Sequence, residues 1–204
     1  MKKIIMVGTA CLALLFCSGA ALAGQAVNGV GGFILGENIE KYKNNTKMDS
    51  SMPIRYLESV REVEIKNAPD FRSGLIAYGS CAEKGKILRV KLKYADSSRK
   101  FFELLMKKYK ERYGEPTEWK GDSFGVVITW KWSLTNDQGE KVSLIIQHNL
   151  LDVEEKVGNV VKLTLSDRLD KEIECFNKIE SEPREVQQPQ VDQDRLDWSR
   201  LLPN

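Results

Sequence analysis

The sequence predicts an α+β fold, in which a single, mainly antiparallel β-sheet has one face covered by two helices. Three observations carry this prediction. Several segments alternate apolar and polar residues with a period of two, as strands with one buried face do. Two other segments repeat apolar residues every three to four positions, which is typical of a helix lying on a core. Short polar turns join neighbouring strand segments, and such turns favour antiparallel pairing.

The composition is that of an ordinary globular protein. The chain has 204 residues, of which 42% are hydrophobic and 29% are charged. These values exclude a collagen-like, a fully disordered or a polytopic membrane chain. At roughly 150 residues per domain, we expect one domain with extensions, and its expected span is residues 33–179.

The first 23 residues have the pattern of a secretory signal peptide. Lys2 and Lys3 precede an apolar run over residues 4–16, and Ala21-Leu22-Ala23 is a small-x-small cleavage site. The run is too short to cross a bilayer, so we expect cleavage after Ala23 and no stable membrane anchor. A retained anchor is the alternative. The short basic leader is typical of bacteria, so the expected location is periplasmic or secreted.

The charge of the mature chain excludes some partners. The full chain has 31 basic and 29 acidic residues, and loss of Lys2 and Lys3 leaves 29 of each. Bulk attraction to nucleic acid or to an anionic membrane is therefore not expected.

Two cysteines, Cys81 and Cys175, remain after the leader is removed. In an oxidising compartment they are expected to form a disulfide. Two buried free thiols or a redox-active pair are the alternatives, although the chain has no Cys-x-x-Cys motif.

The first elements are short. Residues 24–32 are rich in glycine and are expected to form a flexible lead-in. Residues 33–35 predict a short strand that ends in a turn at Gly36. Asn38 suits the N-cap of a brief helix, and residues 44–53 are polar and loop-like.

Three strands are predicted next. Val63 and Ile65 alternate with charged residues, which indicates a half-buried strand beginning near residue 60. Residues 74–78 predict a second strand, and residues 87–94 predict a third that alternates throughout. The apolar positions of the third strand are Leu88, Val90, Leu92 and Tyr94, and its polar positions are Arg89, Lys91 and Lys93.

A long helix follows, capped by Ser97 or Ser98 and ending at Tyr113. Gly114 suits the position after the last turn, and Pro116 stops the helix. Its inward face comprises Phe102, Leu105, Met106, Tyr109 and Tyr113.

Three more strands and a second helix complete the domain. Alternation indicates strands over residues 126–134, 142–148 and 161–165, and a hairpin loop joins the first two. Ser166 or Asp167 is expected to cap the last helix. Its inward residues are Leu169, Ile173 and Phe176. From about residue 180 the composition changes to proline, glutamine and charge, which predicts a disordered tail. The tail ends in an apolar cluster, namely Leu196, Trp198, Leu201 and Leu202.

The inventory of reactive side chains is small. His148 is the single imidazole, so histidine-dependent catalysis would have to use it. Its position at the end of an apolar strand favours a hydrogen-bonded histidine at the rim of the core. No zinc, calcium, phosphate-loop or dinucleotide motif is present. We therefore expect no metal and no cofactor, and these observations favour a protein without enzymatic activity.

The strongest surface signal is basic. On the alternation above, the polar side of the sheet carries Arg89, Lys91, Lys93, Lys131 and Lys162. A cationic patch on a neutral protein attracts an anionic partner. Cross-strand pairing with Glu62 and Glu64 would neutralise the patch if their strand lay beside residues 87–94. If that strand lies elsewhere, the patch is expected to bind anions.

Tryptophans supply a second candidate surface. Trp130 and Trp132 share a side of their strand and are expected in the core. Trp119 is expected to be more exposed and, with Trp198 of the tail, is a candidate binding residue for a sugar or a peptide.

The helix end Tyr113-Gly114-Glu115-Pro116, followed by Trp119 and two strands, resembles a pattern in small secreted bacterial proteins of unassigned function. The opening Gly32-Phe33-Ile34-Leu35-Gly36 is similar. The pattern also resembles the helix-and-sheet modules of outer-membrane assembly lipoproteins and of secreted inhibitors. The resemblance covers residues 33–179 and implies no catalytic residues. A lipid-acceptor cysteine, which the assembly lipoproteins have, is missing.

These observations favour a non-catalytic periplasmic binding or accessory module that engages an envelope protein or an anionic ligand. The alternatives are a small secreted hydrolase and a soluble carrier of an apolar ligand held between sheet and helix. The sequence does not indicate an oligomeric state.

Overall fold

The computed structural model describes residues 26–66, 68–122, 126–149 and 158–181. The predicted signal peptide and the C-terminal segment from residue 182 lie outside these ranges. The strands are β1 Gly29–Val30, β2 Phe33–Ile34, β3 Thr46–Ile54, β4 Leu57–Ile65, β5 Phe71–Gly79, β6 Ile87–Tyr94, β7 Glu118–Gly121, β8 Val127–Thr135, β9 Lys141–Asn149 and β10 Gly158–Leu165. The α-helices are α1 Arg99–Tyr113 and α2 Ser166–Ser181, and a short 3-10 helix spans Ile39–Tyr42.

Eight of these strands form one sheet, in the order β3-β4-β5-β6-β10-β9-β8-β7. Every neighbouring pair in it is antiparallel. β10 enters between β6 and β9, so the last strand in sequence joins the two halves of the sheet. The predicted α+β fold, with helices packed on an antiparallel sheet, is confirmed.

The two helices contact different hydrophobic clusters. Phe102 and Met106 of α1 belong to the main cluster, together with Trp132 of β8. Leu169 of α2 packs instead on a small cluster of Val60, Ala77 and Leu88. Ala77 directly follows Ile76, which belongs to the main cluster, and successive strand residues point to opposite faces. The two helices therefore lie on opposite faces of the sheet, whereas the sequence predicted that both cover the same face.

A β-bulge explains the position of Leu88. Ala77 lies opposite Arg89, but the next residue, Tyr78, lies opposite Ile87. Leu88 is the extra residue, and a bulge reverses the facing of the residues beyond it. Leu88 consequently leaves the face of Val90 that simple alternation predicts, and it packs under α2.

Three expectations for the chain ends and edges need correction. Residues 44–53, expected as a loop, contain most of β3, an edge strand whose polar residues give no apolar alternation. β7, the other edge, is four residues long and was not expected from the sequence. The expected lead-in over residues 24–32 is part of the fold from Val27, which is buried and donates a backbone hydrogen bond to Thr135 O (3.1 Å).

One polar side of α2 fastens it to the loop between β5 and β6. Cys175 lies at disulfide-bonding distance from Cys81, with the two Cα atoms 6.1 Å apart, as the sequence predicts. One turn earlier, the Glu172 carboxylate accepts hydrogen bonds from the backbone N–H groups of Cys81 (3.0 Å) and Glu83. Arg168, a further turn back, donates to Glu140 of the β8–β9 loop (2.8 Å). These positions are four and three residues apart, so they share one helix side.

Candidate binding face

The register of the sheet places the predicted basic residues on one face. Lys91 lies opposite Lys162, and Lys162 lies opposite Ile145. Ile145 in turn lies opposite Lys131 on β8, so the four residues form one row across four strands. Because side chains alternate along a strand, Arg89 and Lys93 lie on the same side of β6 as Lys91. We call Arg89, Lys91, Lys93, Lys131 and Lys162 the basic face.

Lys91 and Lys162 are direct cross-strand neighbours. Such a pair has its Cβ atoms about 4.5–5.5 Å apart, where like charges repel each other. Each of these lysines, and Lys93 beside them, takes part in a polar or electrostatic interaction.

The sequence analysis left open whether the strand of Glu62 and Glu64 lies beside residues 87–94, and the strand order answers this question. β5 lies between β4 and β6, so the carboxylates of β4 are not direct neighbours of the lysines of β6. Glu62 lies opposite Ala77, and Ala77 separates it from Arg89. Glu64 pairs with Lys47 of β3 (2.8 Å). Direct cross-strand neutralisation by Glu62 and Glu64 is therefore not present.

A carboxylate that the sequence analysis missed does reach the basic face. Glu118 of β7 lies opposite Lys131 and pairs with it (3.2 Å) and with Lys120 (2.9 Å). These two lysines hold the pKa of the Glu118 carboxyl below its ordinary value. Glu118 thus shares its charge between two cations.

Arg89, like the four lysines, is half-buried on the basic face. Burial lowers the pKa of its guanidinium, with Glu62 acting in the opposite direction. Its Nε donates a hydrogen bond to Thr164 Oγ1 (3.3 Å). This hydrogen bond links Arg89 of β6 to the neighbouring strand β10.

Grooves on the same face extend the basic surface beyond the predicted residues. A groove of about 280 Å³ beside Lys91 and Lys93 is also lined by Lys47, Lys66 and Arg72. A second groove, of about 490 Å³, lies beside Lys131 and Lys141. Lys47 was missed because β3 carries no apolar alternation that fixes which face its residues occupy.

Trp119 does not lie on the basic face. It is cross-strand from Trp130, whose other neighbour, Ile146, belongs to the main core. Trp119 is 54% exposed, whereas Trp132 is buried, as the sequence leads one to expect. The structure therefore separates Trp119 from the lysines, and Trp198 lies outside the described residues.

His148 lies inside the core, and not at its rim as the sequence predicted. It is fully buried and stacked on Phe102, with ring centroids 5.1 Å apart. Asn159 uses both N–H bonds to donate to Asp96 O (2.9 Å) and Ser98 O (3.0 Å), so its oxygen accepts from His148 Nδ1 (2.7 Å). The other ring nitrogen, Nε2, has no hydrogen-bond partner among the described residues.

This arrangement explains the histidine without catalysis. Ser98 caps α1, and its carbonyl also receives the Phe102 N–H. The His148–Asn159 pair consequently fastens the start of α1 to β9 and β10. The ring of His148 is buried and does not face solvent.

A separate apolar groove lies between α1 and the sheet. Its volume is about 330 Å³, and the buried residues Leu144, Val161 and Leu163 line it. Tyr109 and Tyr113 of α1 also line it. Burial raises the pKa of both tyrosine hydroxyls, which therefore remain neutral and contribute no charge.

Within the described ranges, no group of three or more His, Cys, Asp and Glu side chains is placed to hold a metal ion. None of the helices in those ranges is long and apolar enough to cross a membrane. Comparison of the chain with protein-family models, with curated proteins and with solved structures finds no match.

Proposed function

We propose that this protein is a non-catalytic binding module of the bacterial periplasm, which holds an acidic segment of another envelope protein on its basic face. The observation that carries this proposal is the row Lys91–Lys162–Ile145–Lys131, in which an apolar residue interrupts closely spaced cations. A peptide that combines carboxylates with apolar residues complements such a row better than a free anion does.

The proposed location rests on two further features. The leader ending at Ala23 has the pattern of an export signal. The cysteines 81 and 175 lie at bonding distance, which suits an oxidising compartment. The zero net charge of the mature chain favours a local electrostatic contact over general attraction to nucleic acid or membrane.

Fluorescence anisotropy with labelled poly-L-glutamate tests the proposal. We expect the full chain to bind this probe at physiological ionic strength and the affinity to fall as salt rises. The variant Lys91→Glu plus Lys131→Glu should bind at least about tenfold more weakly, since two attractive contacts become repulsive. Circular dichroism confirms that the variant is folded.

A matched control variant changes the net charge by the same amount at positions outside the basic face. Lys100 and Lys107 are exposed on α1, away from the basic face. Replacing both by glutamate should leave probe binding within about twofold, because exposed charges at a distance are screened. Equal losses in both double variants would contradict the proposal. So would binding of heparin or acidic vesicles without binding of poly-L-glutamate.

The groove beside α1 supports a second candidate function, carriage of a small apolar ligand. A volume of about 330 Å³ is at the lower end of the range for ligand pockets. The dye N-phenylnaphthylamine should fluoresce in the groove, and Val30→Trp, which fills it, should abolish that signal. Ile34→Trp, at an exposed position of the same hairpin, is the control. An unchanged signal in Val30→Trp would exclude this function for the groove.

A further inference from the structure

We propose that the groove between α1 and the sheet binds the anion of an unbranched fatty acid. Arg112 and Tyr113 of α1 hold the carboxylate, and the aliphatic floor of the groove takes the hydrocarbon chain. The inference deepens the second candidate function given above, carriage of an apolar ligand, and rests on it. It does not depend on binding at the basic face, because the groove lies on the opposite face of the sheet.

The floor of the groove is aliphatic. Val161 and Leu163 are alternate residues of β10, and Leu144 lies opposite Leu163 on β9. All three are at most 2% exposed and belong to the main hydrophobic cluster. Neighbouring strands lie about 4.8 Å apart, so this floor is one strand spacing wide. A narrow aliphatic floor suits a single hydrocarbon chain, which loses contact with water when it lies there.

Two of the polar groups around the groove already have partners. The Tyr109 hydroxyl lies 3.0 Å from that of Tyr94, and the two share a hydrogen bond. The Lys108 ammonium pairs with the Glu111 carboxylate (2.9 Å). The same pairing lowers the pKa of the Glu111 carboxyl, which therefore stays ionised and keeps its lysine. A ligand that enters the groove meets these groups with their hydrogen bonds and charges already matched.

Arg112 and Tyr113 supply a positive charge and a hydrogen-bond donor. Both line the groove, and the Arg112 guanidinium lies over the Tyr113 ring, 5.4 Å from its centroid. Within the described ranges, Arg112 pairs with no carboxylate. Burial raises the pKa of the Tyr113 hydroxyl, so this group stays protonated and is able to donate. Since a guanidinium binds a carboxylate through two parallel N–H bonds, the two side chains form an anion site beside the apolar floor.

A fatty acid combines the two features that this groove complements. Its carboxylate reaches Arg112, which is exposed at the solvent boundary, while its chain lies on the buried floor. A cationic amphiphile is repelled by Arg112, and a neutral hydrocarbon leaves the guanidinium without a partner. The groove volume of about 330 Å³ is small for a ligand pocket, which favours a medium chain over a long one. Decanoate is therefore the probe for the site.

Isothermal titration calorimetry of the full chain with sodium decanoate, kept below its micelle-forming concentration, tests the site. We expect Arg112→Gln to bind decanoate at least about tenfold more weakly, because a charge-assisted pair is lost, and Tyr113→Phe to bind it about threefold more weakly. Decyltrimethylammonium, which has the same chain and the opposite charge, should bind the natural chain at least about tenfold more weakly than decanoate does. Arg112→Gln should keep the fluorescence of N-phenylnaphthylamine, which is neutral and needs only the floor.

Lys100→Gln is the matched control for Arg112→Gln. Lys100 is exposed on α1, 12 residues before Arg112, which is about 18 Å along the helix axis. Its loss removes one positive charge beyond the screening length and should leave decanoate affinity within about twofold. The variant Lys91→Glu plus Lys131→Glu should bind decanoate as the natural chain does. A loss in that variant, with Arg112→Gln unaffected, would place the anion on the basic face and overturn the inference.

The two probes separate the possible failures. Equal decanoate affinity in the natural chain and in Arg112→Gln would overturn the inference, and so would decanoate binding retained in Val30→Trp, whose groove is filled. Binding of the dye without binding of decanoate would overturn it as well, and would leave a groove for neutral apolar ligands. Binding of neither probe would overturn carriage by this groove altogether, while poly-L-glutamate still decides on the basic face.

Discussion

Replacing Glu172 by alanine should loosen α2 from the sheet. Glu172 is fully buried, and its carboxylate accepts hydrogen bonds from the N–H groups of Cys81 (3.0 Å) and Glu83. Both donors belong to the loop between β5 and β6. The carboxylate therefore acts as a cap supplied by a distant part of the chain.

The magnitude follows from the two donors. Each N–H group that loses its acceptor away from water costs about 1–3 kcal/mol. Removal of a buried carboxylate recovers part of its desolvation cost, and the half-buried loop admits some water. We therefore expect Glu172→Ala to lower the free energy of unfolding by about 2–4 kcal/mol. Glu172→Gln keeps one acceptor and should lose about half as much.

Urea denaturation under non-reducing conditions measures this effect, because the Cys81–Cys175 pair then keeps α2 close to the loop in every variant. Glu174→Ala is the matched control, since Glu174 is exposed on the same helix. It should change the free energy of unfolding by less than about 0.5 kcal/mol. A loss below about 0.5 kcal/mol in Glu172→Ala would refute the assignment of Glu172 as the cap of this loop.

Three other predictions concern the same region. Replacing Cys81 and Cys175 by serine should cost about 4–5 kcal/mol, because the bridge closes a loop with a sequence separation of 94; denaturation midpoints with and without reductant test this. Gly79→Ala should cost about 1–3 kcal/mol, since the added Cβ would meet Glu172 and lie 2.5 Å from Glu83 O; the melting temperature reports it, and an unchanged value would contradict the close packing. Arg168 holds the pKa of the Glu140 carboxyl below its ordinary value. The stability from this pair is present above the unfolded pKa and is lost as pH falls through the folded pKa. Glu140→Gln should therefore weaken the dependence of stability on pH in the acidic range, and an identical acid profile would contradict it.

The alternation of apolar and polar residues predicted those strands and helices that have one side packed against the core. In β6 every second residue is apolar, and in α1 every third to fourth residue is apolar, because these residues contact the core. Both elements were therefore predictable from the sequence. β3 and β7 were missed because an edge strand buries little and needs no apolar alternation. The bulge at Leu88 was also missed, because it depends on how β5 and β6 pair and not on either strand alone.

The candidate site was also predictable only in part from the sequence. Local alternation predicted that the five basic residues share a face, because each lies on a strand whose apolar positions were identifiable. Strand order was not predictable, because β10 joins β6 and β9 across long stretches of sequence. The contacts of Glu118 and Glu172 depend on that order. A charged residue in a sequence does not reveal which distant N–H group or lysine it will meet.

An acidic peptide should contact the protein on the basic face. Backbone amide chemical shifts of the isotope-labelled full chain, recorded during a titration with poly-L-glutamate, locate that contact. We expect the largest shifts at Lys91, Lys162, Ile145 and Lys131, with smaller shifts towards α1. Shifts concentrated at Trp119 or in the groove beside Tyr109, with the β6–β10–β9–β8 row unmoved, would contradict it.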